Sequence, residues 1–315
     1  MSRCLCCGKE LGPKEETGGW HGKCIRRFFG TEILPEIAIT EETIRRLVTE
    51  STNRGFTVPG VQKKMSLHLE TEDKPRLTLV NYPTGYILKP QTEEYGELPE
   101  NEFLIMQMAV ATKIRTVPFA LMRTQTSDGK YAYITRRIDR EKGQILAMED
   151  FCQLDGRLTE DKYRGSYERC ANVIARYSAA PMLDLSELFL RIVFSFAVGN
   201  SDMHLKNFSL IETKEGSSEF TLSAAYDMLS TNLAMPRDKE ELALPINGKK
   251  SNIRKKDFLQ FAGTTGLPEK AARKMIAKVA ECKTMYQEMC LASYLSAEAK
   301  ERLCSLIEER MARLA

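Results

Sequence analysis

The run Gly199-Asn200-Ser201-Asp202-Met203-His204-Leu205-Lys206-Asn207-Phe208 stands directly behind the apolar segment 192–198 and directly ahead of a strand-like Ser-Leu-Ile-Glu. It is therefore a polar loop held between an apolar helix and a strand, the setting in which rigid elements present reactive groups. Within it, Asp202 and Asn207 set a carboxylate and an amide oxygen one loop turn apart. When such a pair occurs alone, side-chain capping of a turn explains most cases.

The flanking chain shows what the loop is mounted on. Residues 1 to about 30 are rich in Cys and Gly and lack helical periodicity. Between 40 and 140, strand-like runs at 65–69, 76–80, 86–89, 119–125 and 131–136 alternate with one helix over about 99–111. Asp128-Gly129 is a hairpin-type turn between the last two runs. From about 145 the pattern is helical, with helices expected at 167–177, 185–198, 255–262, 268–289 and 297–314, interrupted by strand-like runs at 209–212 and 219–223. The expectation is an α+β chain in three parts: a small extension (1–30), a sheet-rich lobe (31–140) and a helical lobe (141–315), the two lobes flanking a cleft.

Composition excludes several alternatives. Lys and Arg number 46 against 43 Asp and Glu, a net charge of +3, too balanced for a protein living mainly on nucleic acid or an anionic membrane. A hydrophobic content of 43% rules out wholesale disorder. The apolar run 192–198 falls far short of the roughly 20 residues that span a bilayer, and the start MSRCLCCGKE has no apolar leader region. A cytoplasmic protein is expected.

Three further segments give the loop a chemical context. Ala225-Tyr226-Asp227-Met228 follows a strand-like run and places a second acid at a strand end. Gly85-Tyr86-Ile87-Leu88-Lys89-Pro90 ends an apolar strand on a lysine, and Gly55 to Lys64 is a basic loop ahead of a strand. Protein kinases use the Asp-x4-Asn spacing with Asp as base and Asn as magnesium ligand, a second Asp on the metal, and a strand lysine on the phosphates. Each segment taken singly has a bland explanation: a snorkelling strand-end lysine, an Asp capping a turn, an ordinary surface loop. Together they occur in kinase order.

On these residues the sequence resembles the HipA-like toxin kinases of bacterial toxin–antitoxin systems. Their VxGxQxK loop reads Val58-Pro59-Gly60-Val61-Gln62-Lys63-Lys64, their ILK strand Ile87-Leu88-Lys89, and their RxDR hinge Arg137-Ile138-Asp139-Arg140. Their GNxDxHxKNFS loop reads Gly199 to Ser209, and their YD metal motif Tyr226-Asp227. The resemblance covers about residues 50–315. It implies a two-lobed HipA-like kinase fold and a Ser/Thr protein kinase using ATP and Mg²⁺, with Asp202 catalytic and Asn207 and Asp227 as metal ligands. It places Lys89 on ATP phosphates, main chain near Arg136, Arg137 and Ile138 on adenine, and His204 and Lys206 along the catalytic loop. It also puts Thr57 where relatives autophosphorylate a serine. The partners implied are an aminoacyl-tRNA synthetase as substrate and a helix-turn-helix antitoxin, through which alone DNA is met. The chain departs from the family in its hinge side chains, Arg136 and Ile138, and at its amino end, where the usual subdomain is expected to be missing or replaced. In that it looks like the shorter HipT-type toxins, whose subdomain is a separate protein. The rival readings are a non-catalytic kinase-like scaffold docking an antitoxin at an operator, and a small-molecule or lipid kinase.

The amino end carries Cys4-x2-Cys7 and His21-x2-Cys24, two chelating pairs flanking a 13-residue, Gly-containing loop. That spacing matches a structural zinc knuckle. Cys6 is an alternative to Cys7, and reduced cysteines in a small apolar turn are the bland alternative. The remaining Cys152, Cys170, Cys282, Cys290 and Cys304 are expected to be buried small hydrophobes.

Overall fold

The computed structural model describes residues 2–13, 15, 18–37, 64–71, 74–78, 85–92, 94–126, 129–141 and 144–315. Thr57, Pro59, Gly60, Val61, Gln62 and Lys63 lie outside the described residues. The chain divides into two units, Met1–Phe103 with Val117–Ile138, and Leu104–Thr116 with Asp139–Ala315.

Among the described residues, the first unit is built on a six-stranded sheet: β1 (Glu36–Ile37), β2 (Met65–Glu70), β3 (Arg76–Thr78), β4 (Tyr86–Pro90), β5 (Phe119–Thr126) and β6 (Gly129–Arg136), in the order β1-β3-β2-β4-β6-β5. All its ladders are antiparallel except β1 with β3. Alternation decides the register, because a shift of one residue would turn every buried side chain outward. Met65 and Leu67 point inward with Ser66 exposed between them, and they pair with Leu88 and Tyr86 of β4. A short helix, α1 (Gly22–Phe29), precedes the sheet and ends on Gly30 in the left-handed conformation. Helix α2 (Leu98–Ala111) supplies residues to both units.

The second unit is mainly helical: α3 (Phe151–Leu154), α4 (Tyr167–Tyr177), α5 (Pro181–Val198), α6 (Thr231–Ala234), α7 (Lys255–Thr264), α8 (Glu269–Glu281), α9 (Lys283–Leu291) and α10 (Ala297–Ala312). Its centre is α5, whose Phe189 and Phe196 pack against Phe258 and Phe261 of α7. This helix begins four residues ahead of its hydrophobic run because Pro181 starts it, at a position where a missing N–H costs nothing. The helix expected over 268–289 is two helices, broken at Cys282, whose ψ of −2° leaves the helical path.

Two small sheets complete the unit, a β7 (Arg140–Glu141) and β8 (Gln144–Ile145) ribbon and a three-stranded sheet ordered β11-β10-β9. In the latter, β10 (Ser209–Glu212) lies between β11 (Phe220–Leu222) and β9 (Met148–Asp150), and β9 is a strand the sequence pattern does not mark. Cys152, Cys170 and Cys290 are buried as expected, whereas Cys282 and Cys304 are only half-buried. Among the described residues, no helix is long and apolar enough to cross a membrane.

Candidate active site

The loop at 199–207 is fixed from both ends. Gly199 caps α5 with φ of +69°, a conformation that favours glycine, and a Cβ there would lie 2.4 Å from the Leu306 side chain of α10, which would have to shift. Asn200 accepts from the Asp202 N–H at 3.1 Å, and the Ser201 N–H donates to the Thr231 hydroxyl at 2.7 Å. The Asn207 side-chain nitrogen donates to the Asp202 carbonyl at 2.7 Å. That bond takes up the donor end of the amide, so Oδ1 is the end left to act as a ligand. The oxygen is what a hard cation such as Mg²⁺ requires.

Tyr226 and Asp227 meet this loop from a second segment. The Tyr226 hydroxyl donates to the Lys206 carbonyl at 3.1 Å and shares a hydrogen bond with Ser209 at 2.6 Å. Burial pushes its phenol far above the usual range, so it stays a neutral donor. Asp227 has φ of +60°, an uncommon conformation for a side chain of any size and one that concentrates at functional sites. The segment is anchored upstream: buried Arg191 donates to the Ser223 carbonyl at 2.7 Å, and the Ala225 N–H to the Arg115 carbonyl at 2.7 Å. Asp227 does not cap the next helix, a position Ser230 occupies.

His204 is buried, and burial is the main cause holding its imidazole below the usual range against the nearby charges of Asp202 and Asp227. It is therefore neutral at pH 7, with Nε2 at 4.0 Å from Asp202 Oδ1. Lys206 pairs with Asp150 at 2.6 Å, the residue that also caps α3. Its ammonium is thus held at the floor of the loop.

Sequence reasoning missed Tyr163. Its hydroxyl donates to Asp202 Oδ1, and its ring stands edge-on to His204 at 4.9 Å. Burial and the Asp202 charge push the phenol well above its ordinary range, which keeps Tyr163 a protonated donor at neutral pH. A cavity of about 240 Å³ opens beside this pair, lined also by Ser201, Thr231, Asp238 and Lys250.

In the first unit, Lys89 on β4 is almost fully buried and donates to Glu102 of α2 at 2.6 Å, with its Nζ 5.2 Å from the Tyr133 ring centre. Glu102 is itself fully buried. A strand lysine paired with a helix glutamate is the arrangement protein kinases use to hold the phosphate-binding lysine. Glu102 is a second residue the sequence did not flag. At the end of β6, the N–H groups of Arg136 and Arg137 are taken by the carbonyls of Pro118 (3.0 Å) and Gly85 (2.9 Å). A main-chain donor to a purine would thus come from Ile138, not from those two. Lys64 is exposed immediately before β2. At the amino end, the ligand atoms of Cys4, Cys7, His21 and Cys24 lie within 4.8 Å of one another.

A HipA-like C-terminal domain family model matches residues 56–286. A Haemophilus influenzae protein provisionally named a kinase is 27% identical over 94% of this chain and 92% of its own length. The Sinorhizobium fredii proteins Y4mE and Y4dM, likewise provisionally named kinases, are 29% and 30% identical, and the chain spans only about half of their length (54% and 55%). Among solved structures, HipA of a Shewanella oneidensis toxin–antitoxin system, determined with HipB and operator DNA, aligns with a TM-score of 0.66 at 20% identity over 89% of this chain and 74% of its own. The Helicobacter pylori proinflammatory kinase CtkA aligns with a TM-score of 0.54 at 15% identity, covering 75% of this chain and 86% of its own. The α+β architecture expected from the sequence is the fold these two proteins share with this chain.

Proposed function

The chain belongs to the HipA-like C-terminal domain family, and we propose that it is an ATP- and Mg²⁺-dependent serine/threonine protein kinase, the toxin of a bacterial toxin–antitoxin pair. The observation that carries the reading is the loop in which Asp202, oriented by Tyr163, stands beside an Asn207 amide with its nitrogen already bonded to the Asp202 carbonyl. In this reading Asp202 orients the substrate hydroxyl and accepts its proton. Asn207 Oδ1 and the Asp227 carboxylate would hold the metal, which when bound neutralises charge on the phosphates. Lys89, held by Glu102, would pair with the phosphates, and Pro59, Gly60, Val61, Gln62, Lys63 and Lys64 would bind them as the family's VxGxQxK motif does. The cavity beside Asp202 and Tyr163 receives the hydroxyl-bearing segment of the substrate.

The proposed partners follow from likeness. The Shewanella relative was solved with HipB and operator DNA, and a DNA-binding antitoxin is proposed here on that ground. An aminoacyl-tRNA synthetase is the proposed substrate, with autophosphorylation at Thr57.

Labelled ATP tests the reading. Purified protein is expected to incorporate γ-phosphate on serine or threonine only when Mg²⁺ is present, with Thr57 among the modified peptides. Absence of transfer to itself and to every protein of a bacterial extract would leave a non-catalytic scaffold.

Tyr163→Phe separates positioning from folding. A hydrogen bond to a charged group is worth about 1.5–3 kcal/mol, so kcat is expected to fall roughly 10–100-fold. The KM for ATP should stay unchanged, and any fall in melting temperature should be a few degrees, with the variant still folded at the assay temperature. In an Asp202→Asn background the same change should cost nothing further, because the group it orients is already gone. Equal losses in both backgrounds would make Tyr163 a packing residue.

A further inference from the structure

The amino-terminal cysteines are the motif that phosphoryl transfer leaves without a task. We infer that Cys4, Cys7, His21 and Cys24 hold a structural zinc ion that fastens the amino-terminal knuckle to the sheet of the first unit. Cys7 Sγ lies 3.4 Å from His21 Nδ1, and Cys24 Sγ 3.9 Å from it. A tetrahedral zinc, with bonds of about 2.3 Å to sulfur and about 2.0–2.1 Å to nitrogen, sets its ligands roughly 3.5–3.8 Å apart. With all four ligand atoms already inside 4.8 Å, the cluster closes on the ion by about an ångström at most.

Local structure converges on that point. Cys4 and Cys7 lie in a tight turn closed by the Arg3–Glu10 bridge and by the Gly8 N–H to Cys4 carbonyl bond of 2.8 Å. His21 immediately precedes α1, and Cys24 sits in its first turn. The His21 N–H donates to Cys4 Sγ at 3.4 Å, while its ring Nε2 meets the Glu10 carbonyl at 3.0 Å. That outer contact turns Nδ1 toward the sulfurs, as second-layer hydrogen bonds do for metal-bound histidines. Cys6 is not a member of the cluster.

The knuckle's contacts show what the ion would secure. Leu5, between the two ligands of the turn, accepts from the Leu121 N–H at 2.8 Å on β5, the edge strand of the sheet. Phe28 and Phe29 of α1, with Trp20, cluster on Tyr86 of β4, whose hydroxyl donates to the Phe28 carbonyl at 3.3 Å. Segments this short bury too little apolar area to hold such a shape unaided, and a metal supplies what the core lacks. The site stands independently of the proposed kinase chemistry.

Full-length protein purified without chelator is expected to carry about one zinc per chain by elemental analysis. Cobalt(II) exchanged into it should show the visible and near-ultraviolet bands of a tetrahedral sulfur-rich centre. Cys7→Ser is expected to lose the metal and Cys6→Ser to keep it. His21→Cys should retain it with an altered cobalt spectrum, which covers the case in which a serine variant fails to fold. Metal removal should speed hydrogen exchange in β4 and β5 and leave α5 unchanged. Protein that contains no zinc and takes up neither zinc nor cobalt overturns the site. Unchanged exchange in β4 and β5 after metal removal overturns its fastening role.

Discussion

Asp202→Asn is expected to lower phosphoryl transfer by about 10²–10⁴-fold, the usual weight of a general base, with the fold intact. The substitution keeps the side chain's size and still offers Tyr163 an oxygen to bond, so the loop's geometry survives. What it removes is the negative charge that orients the acceptor hydroxyl and takes its proton. Initial rates of label transfer measure the loss, and thermal melting confirms that the variant is folded. A folded Asp202→Asn protein working at the wild-type rate would move the base elsewhere and leave the loop a structural turn.

Glu102→Ala should be the most damaging single change to the first unit. Lys89 and Glu102 are both buried, with 4% and 0% of their side chains exposed. Removing one partner of a buried ion pair costs about 3–5 kcal/mol. A large drop in melting temperature is expected, along with loss of ATP use. The double change Lys89→Met with Glu102→Leu replaces the pair by apolar groups of similar volume and should recover most of the stability, because buried pairs seldom outperform such replacements. It should not recover activity. If Glu102→Ala melts with the wild type, the pair is not held as described. If the double variant transfers phosphate normally, Lys89 has no role on the nucleotide.

The parts of the site written in contiguous residues were legible from the sequence. The stretch from Gly199 to Asn207 carries its own spacing, and the strand ending in Lys89 announces itself by an apolar run with a charge at its close. Most strands of the large sheet were legible for the same reason, since a period of two is local information. Tyr163 and Glu102 were not. Tyr163 reaches Asp202 across 39 positions, and nothing in its Lys-Tyr-Arg surroundings singles it out. Glu102 is one acid in a run that opens with Glu97 and Glu100, where a solvated first turn is the default reading. Only tertiary packing turns it toward Lys89. Strand β9 escaped because three residues of mixed polarity have no period to read, and the break at Cys282 because a helical stripe of apolar residues continues through it.

The glycine that admits Leu306 against the start of the loop bearing Asp202 has a temporal consequence. A chain grows from its amino end at about 5–20 residues per second, and Leu306 is made roughly a hundred residues after Gly199. The Arg302 guanidinium, which donates to the Leu233 carbonyl at 2.9 Å, comes equally late. Until α10 has emerged from the ribosome, the Gly199 end of the loop bearing Asp202 lacks the Leu306 side chain beside it. Every other piece of the constellation has by then been synthesised. The order of synthesis thus leaves the loop at 199–207 without its Leu306 contact until α10 has emerged and folded.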